Sequence, residues 1–188
     1  MNQYIALLRG VNISGQKIIK MVELKEAMED VGFQDVQTYI QSGNIVFAHD
    51  PVPTETVEKM VKQKINEVWG YEVPVVVVTR EEMATVIAND PHADDPERDA
   101  KRTYLTFLSQ VPSVVESNKL QELDYPPEKI AMIGKVVYFN SPISYGKARM
   151  NNNFIEKFLK VSATTRNWNT VNKLLEMAGG EITRNSGH

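Results

Sequence analysis

The sequence predicts an α+β protein built as a tandem repeat of two ferredoxin-like (βαββαβ) units, over residues 1–90 and 101–180, with a C-terminal tail at 181–188. Three observations predict it. Short apolar or alternating runs and stretches of helical period follow one another in the order β-α-β-β-α-β. The same order occurs twice along the chain. Matching residues then recur in the same sequence in both halves, as an internal duplication requires.

In the first half, Tyr4–Arg9 is a short apolar strand. Met21, Leu24, Met28 and Val31 recur at helical spacing and place an amphipathic helix over 21–31. Val36–Gln41 and Asn44–Ala48 are strands around Ser42-Gly43, a tight hairpin signal. Val57, Met60, Val61, Ile65 and Val68 mark a helix from Thr54 to Trp69, and Val75–Thr79 is a Val-rich buried strand. Thr79 and Glu82 have capping-box spacing ahead of Met83, Val86 and Ile87. In the second half, Thr103–Leu108 is a strand, and Ser113 and Glu116 form another capping box before Leu120 and Leu123. Strands Lys129–Ile133 and Lys135–Asn140 flank Gly134. Phe154, Ile155, Phe158 and Leu159 mark a helix, Ala163–Thr165 a short strand, and Trp168, Val171, Leu174, Leu175 and Ala178 the stripe of a last helix.

Four stretches match between the halves: Tyr4–Leu8 with Tyr104–Leu108, Gly43–Phe47 with Gly134–Tyr138, Val57–Lys62 with Ile155–Lys160, and Thr79-Arg80 with Thr165-Arg166. A duplication expects Tyr4 to superpose on Tyr104, Gly43 on Gly134 and Arg80 on Arg166; convergent patterning of two amphipathic units is the alternative. Asn89–Lys101, with two prolines and the acids Asp90, Asp94, Asp95, Glu97 and Asp99, reads as a linker.

The 188 residues are 42% hydrophobic and 24% charged, enough apolar matter for a sizeable core and too much for wholesale disorder. The absence of Cys excludes disulfides and thiolate metal sites, and it fits a cytoplasmic setting. No apolar run is long enough to cross a bilayer, and Met1-Asn2-Gln3-Tyr4 lacks a basic leader, so no secretory peptide is expected. The net charge of −3 disfavours a general nucleic-acid binder. The charge is uneven, however. Residues 129–173 hold eight basic residues against the single acid Glu156, and 9–20 holds Arg9, Lys17 and Lys20 with no acid. These runs are either solvated surface or two basic segments converging on one anion.

Four polar segments stand out. Arg9–Lys17 follows the first strand, and its glycines and small polar residues suit backbone N–H groups facing an anion, or simply a long turn-rich connection. It lacks the spacing of a Walker A loop or a dinucleotide fingerprint. Tyr39–Asn44 suits a hairpin turn. Ser144–Arg149, before Asn151-Asn152-Asn153, suits a helix cap or a phosphate-binding helix start. Thr164–Thr170 holds more polar residues than capping needs, and it places Arg166 at a strand-to-helix junction, against the helix dipole unless an anion or acid is near. Trp168 there is most simply core. The segments contain no Asp, Glu or His, which argues against general acid–base catalysis, so no catalytic residue is assigned. His92-Ala-Asp94-Asp95 is a metal candidate or a solvated acidic loop, and no metal or cofactor is expected.

Arg9-Gly10-Val11-Asn12 after Ala6-Leu7-Leu8, then Lys20-Met21, Tyr39–Asn44 and Thr165–Thr170, together resemble a bacterial family known as domain of unknown function 1697, from about Gln3 to Gly179. The loop departs at Ile13-Ser14, where Val-Gly is expected. The resemblance implies no assigned activity, cofactor or catalytic residue. Its signature positions fall on the first, second and fourth polar segments.

The expected function is binding of a phosphorylated small molecule or nucleotide by Arg9, Asn12, Lys17, Lys20, Ser42 and Asn44, lying near Arg166, Asn167 and Asn169. The alternatives are a single-stranded nucleic-acid binder stacking bases on Tyr4 and Phe47 or on Tyr104 and Tyr138, an enzyme using Arg/Lys electrostatic stabilisation, and an interaction protein pairing its sheet edges with another chain. Oligomeric state is not legible.

Overall fold

A computed structural model describes residues 1–181; the tail expected over 181–188 lies outside the described residues from Ile182 onward. The described residues form two four-stranded antiparallel sheets and six α-helices, an α+β architecture. The described residues divide into two compact units, Met1–Ala88 together with 172–181, and Asn89–Val171.

In the first unit the elements are β1 (Asn2–Leu8), α1 (Met21–Asp30), β2 (Gln34–Tyr39), β3 (Asn44–His49), α2 (Thr54–Trp69), β4 (Val75–Thr79) and α3 (Arg80–Ala88). The sheet order is β2-β3-β1-β4. Tyr4, Ala6 and Leu8 of β1 pack with Ile45 and Phe47 of β3, Val75 and Val77 of β4, and the apolar stripes of α1 and α2, including Leu24, Met28, Val57, Val61 and Ile65. Ile5 and Leu7, on the other face of β1, are equally buried. Such a strand has no solvated side, which is why it reads as a continuous apolar run instead of alternating. Tyr4 fits this interior because its hydroxyl donates to Val52 O (2.8 Å) and accepts from Val52 N (3.0 Å).

The second unit holds β5 (Thr103–Leu108), α4 (Val114–Gln121), β6 (Lys129–Ile133), β7 (Val136–Asn140), α5 (Asn152–Leu159), β8 (Ala163–Asn167) and the start of α6 (Trp168–Met177), whose later residues group with the first unit. The sheet order is β6-β7-β5-β8. Leu108, Val137 and Ala163 pack with Leu120 of α4 and Ile155 and Leu159 of α5.

The capping-box spacings are realised unequally. Thr79 Oγ1 accepts from Glu82 N (3.1 Å) and Glu82 Oε2 accepts from Thr79 N (2.8 Å), a reciprocal box. Ser113 Oγ accepts from Glu116 N (3.2 Å), but the Glu116 carboxylate goes to Lys160 (2.8 Å) instead of back to the cap. Helix carboxylates also reach the outer edges of both sheets: Glu58 Oε1 accepts from Val77 N in β4 (3.1 Å), and Glu156 Oε1 accepts from Ala163 N in β8 (2.8 Å).

Some expectations are corrected. The last strand runs to Asn167, two residues past the expected Thr165, so Arg166 lies on the strand side of the strand-to-helix junction, paired with Leu105 and two residues before α6. Arg80 opens α3, so Arg80 and Arg166 sit on different kinds of element. Tyr4 and Tyr104 hold the same register, opposite Phe47 and Phe139, but this places Phe47 against Phe139 and shifts Gly43 by one residue from Gly134. The reason is the turn: four residues separate β2 from β3, and two separate β6 from β7. The acidic segment Asn89–Lys101 is tied down by ion pairs. Asp90, with a side chain only 2% exposed, pairs with Arg98 (2.9 Å), and Lys129 pairs with Asp95 (2.6 Å) and Glu97 (3.3 Å). The Arg98 guanidinium also lies 4.3 Å from the Trp168 ring centre. His92, offered as a metal ligand, donates its backbone N–H to Asp90 (3.0 Å), and burial holds its imidazole below the usual histidine range.

Candidate functional site

The nine residues singled out by sequence fall in both units, six in the first and three in the second. In the first unit they lie on the β1–α1 connection, residues 9–20, and on the β2–β3 turn. Gly10, Asn12, Ser14, Gly15 and Lys17 all have φ between +45° and +74°, and Ile40 in the turn has φ +51°. Four of these six carry side chains, in a backbone region that L residues other than Asn and Asp avoid, and Ile40 is β-branched. Asn12 makes three of the hydrogen bonds that hold this path. Asn12 Oδ1 accepts from Ile19 N (2.9 Å), while Nδ2 donates to Ile19 O (2.8 Å) and to Gln41 O (2.9 Å). One amide therefore closes the loop on itself and ties it to the hairpin turn.

The turn reaches back in turn. Leu8 N donates to Gly43 O (2.9 Å), and a Cβ at residue 43 would stand 2.6 Å from Val11 Cγ2 and 2.8 Å from Leu8 Cβ. Glycine is required there by contact as well as by its φ of +78°. Asn44, fully buried, donates to Tyr39 O (2.8 Å) and Ser42 Oγ (3.1 Å) and fixes the turn from within. Asn12, Ser42 and Asn44 thus act as framework.

The cations stand on that framework. Arg9 is half-buried, and its backbone N–H donates to Pro74 O (2.9 Å). Lys17 is half-buried and its ammonium donates to Glu72 O (2.5 Å). Lys20 is exposed and pairs with Glu23 (2.9 Å), whose hydrogen bond holds the ammonium pKa above its usual value. Ser14 and Gln16, at the loop tip, are exposed.

In the second unit Arg166 is 9% exposed. Its Nη1 donates to Thr164 Oγ1 (2.8 Å) and Thr165 O (2.9 Å), and burial lowers its pKa to about 10, with Tyr145 opposing. Asn167 Oδ1 accepts from Thr170 N (2.8 Å), so this residue caps α6, and Asn169 is exposed beside it. The other face of β8 carries a hydroxyl chain: Thr106 Oγ1 and Thr165 Oγ1 are 2.7 Å apart, and Thr165 donates to Asn152 Oδ1 (2.8 Å).

The third polar segment has a partner that sequence reasoning missed. Glu128, 6% exposed, accepts from Arg149 N (2.9 Å) and Met150 N (3.2 Å), and Asn151 Oδ1 accepts from Phe154 N (3.1 Å) as the cap of α5. The backbone here does gather an anion, and the anion is the protein's own carboxylate. No local signal links Glu128 to residues 21 and 22 positions away. The base-stacking reading loses its platform: Tyr4 and Phe47 are fully buried, Tyr138 is 1% exposed, and the half-buried Tyr104 is covered by Tyr145, with ring centres 4.7 Å apart and planes inclined by 39°.

What these geometries define is an α+β protein of two four-stranded antiparallel sheets, carrying a preshaped cationic loop on the first. Residues 1–138 match the family described as "Protein of unknown function (DUF1697)", and the chain belongs to that family. It is similar in fold to a solved structure of the conserved bacterial protein SP0830 from Streptococcus pneumoniae, with a TM-score of 0.74 and 23% identity, over 94% of this chain and 98% of that one. No curated protein matches the chain. No described helix is long and apolar enough to cross a membrane.

Proposed function

We propose that the chain is a binding module for a phosphorylated small molecule or nucleotide, with Arg9, Lys17 and Lys20 of the β1–α1 connection as the first contacts. The observation that supports this most is the cluster of left-handed, side-chain-bearing residues in a loop and a turn stitched together by Asn12. Backbone held in such regions costs about 1–3 kcal/mol per residue and persists where the surroundings over-determine it, as in ligand clamps. A loop already fixed in shape loses little entropy on binding. Its cations suit a phosphate more than any neutral group. Asn12, Ser42 and Asn44 belong to the site as its scaffold; Arg166, Asn167 and Asn169 are a second anion station, on the second unit. Binding is favoured over catalysis because the nine residues include no Asp, Glu or His.

The test is calorimetric titration and thermal shift of the full chain with pyrophosphate, nucleoside monophosphates and sugar phosphates at low salt. A ligand at 100 times its Kd should stabilise the chain by about 2.7 kcal/mol. Lys20→Met should weaken that binding without moving the melting point of the free protein, and Asn169→Ala does the same for the second station. If no anion shifts the parent, and Lys17→Met changes only stability, the loop is structural and the reading is wrong.

We also read the two units as ferredoxin-like copies of one ancestral unit, with boundaries near 1–90 and 101–180. The common strand order, the shared register of β1 and β5, and the buried Val57 and Ile155 followed by edge-capping Glu58 and Glu156 support this.

A further inference from the structure

Helices α4 and α5 pack side by side on the second sheet, and a groove of about 460 Å³ opens at their surface. Phe154 and Phe158, one turn apart on α5, form its floor with ring centres 5.4 Å apart and planes inclined by 28°. Glu116 and Lys119 line it from α4, Lys157 and Lys160 from the α5 side. The one acid is engaged: Lys160 pairs with Glu116 (2.8 Å) across the groove. This leaves the exposed ammonium groups of Lys119 and Lys157 to set the charge above an apolar floor.

We propose that this groove binds a small amphiphilic anion, a molecule with a flat apolar body and a single carboxylate or phosphate head. The volume is that of a small-molecule site, about 300–1,000 Å³. Two offset phenyl rings give a flat body a stacking surface. Lysine stems lie along apolar surface while their ammonium groups stay in water, where they meet the head of a ligand whose body is desolvated. Charge complementarity excludes a cationic occupant. The site shares no residue with the phosphate loop and does not depend on it.

The experiment is titration of the full chain, followed by two-dimensional NMR, with naphthoate, naphthyl phosphate, decanoate and neutral naphthalenemethanol. The expected result is saturable binding of the naphthyl anions, with shifts centred on Phe154 and Phe158, and weaker binding of the neutral analogue. The two naphthyl anions separate carboxylate from phosphate heads, and decanoate separates flat from acyl bodies. The double variant Lys119→Glu, Lys157→Glu should weaken naphthoate about tenfold or more, the scale of one lost charge contact. Lys157→Gln should weaken it less and keep the parent's melting point, which shows that the loss is not unfolding. Naphthoate bound equally well by parent and double variant, or never saturating, would overturn the assignment. So would concentration-dependent self-association abolished by the same double variant, since a second copy would then fill the groove.

Discussion

The connection after β1 and the connection after β5 join equivalent places in their sheets and are built differently. The first takes residues 9–20, passes through five positive-φ positions and is tied to a four-residue turn by Asn12. The second takes only Ser109–Ser113, ends on a single serine cap and stands beside a two-residue turn at Gly134-Lys135. Minimal turn chemistry is therefore sufficient to close this sheet order. The length and the left-handed residues of the first connection exceed what this sheet order requires. The second unit places its polar investment in the segment before β5, where Asp90 and Arg98 form an ion pair whose guanidinium lies over the ring of Trp168 from α6.

Substitutions separate these strategies. The largest effect is expected at Arg98→Met, which strands the Asp90 carboxylate; breaking a buried pair from one side costs about 3–5 kcal/mol. Adding Asp90→Asn should recover much of that loss in urea unfolding. A cost no larger than that of an exposed pair would mean that the segment is only draped on the unit. Next comes Gly43→Ala, at about 3 kcal/mol because overpacking and a left-handed φ combine, against about 1 kcal/mol for Gly134→Ala, where a Cβ meets open space. Equal losses would erase the distinction between the two hairpins. Asn12→Ala removes three hydrogen bonds and should cost about 2 kcal/mol, since all three freed partners are backbone groups. Ser113→Ala removes one cap bond, for about 1 kcal/mol. If serine proves the costlier, the loop is not pinned as described.

The smallest effect is alkaline. Burial pushes the Tyr138 hydroxyl from 10.0 up to about 12. A folded-state pKa raised in this way contributes stability that is complete below pH 10 and is lost as the pH rises through 12. Arg166 acts in the opposite sense: its folded pKa of about 10 lies below the usual 12.5, so the same rise relieves the cost of burying its charge. Tyr138→Phe should therefore flatten the fall in urea midpoint between pH 10 and 12. A variant that loses stability as steeply as the parent removes tyrosine from the account.

Elements marked by an apolar run or an apolar period were legible in the sequence. Helix Thr54–Trp69 and strands Val75–Thr79, Thr103–Leu108 and Lys129–Ile133 stand where hydrophobic spacing puts them. β8 was legible only to Thr165, because its continuation is Arg166-Asn167, and polar residues in a strand resemble a loop until a buried guanidinium is seen bonded to Thr164. The site residues were picked for their polarity, which does not distinguish a ligand contact from a framework bond. Asn12 and Asn44 are framework because their amides meet carbonyls brought near by the fold, up to 29 positions away. The ion pairs of the acidic segment were not legible, because Arg98 and Lys129 meet its carboxylates across 8 and 34 positions, separations that leave no pattern in the sequence.

The carboxylates of Glu58 and Glu156 have a consequence for life in a crowded solution. β4 and β8 are terminal strands, and a terminal strand is a template on which another polypeptide can add itself and go on adding. In each sheet a neighbouring helix has placed an anion on a backbone N–H that such a newcomer would need. Polymer growth from these edges must begin by evicting a charged group tethered to its own helix. A single Glu→Ala change at either position would leave the sheet order intact and turn a closed border into an open one.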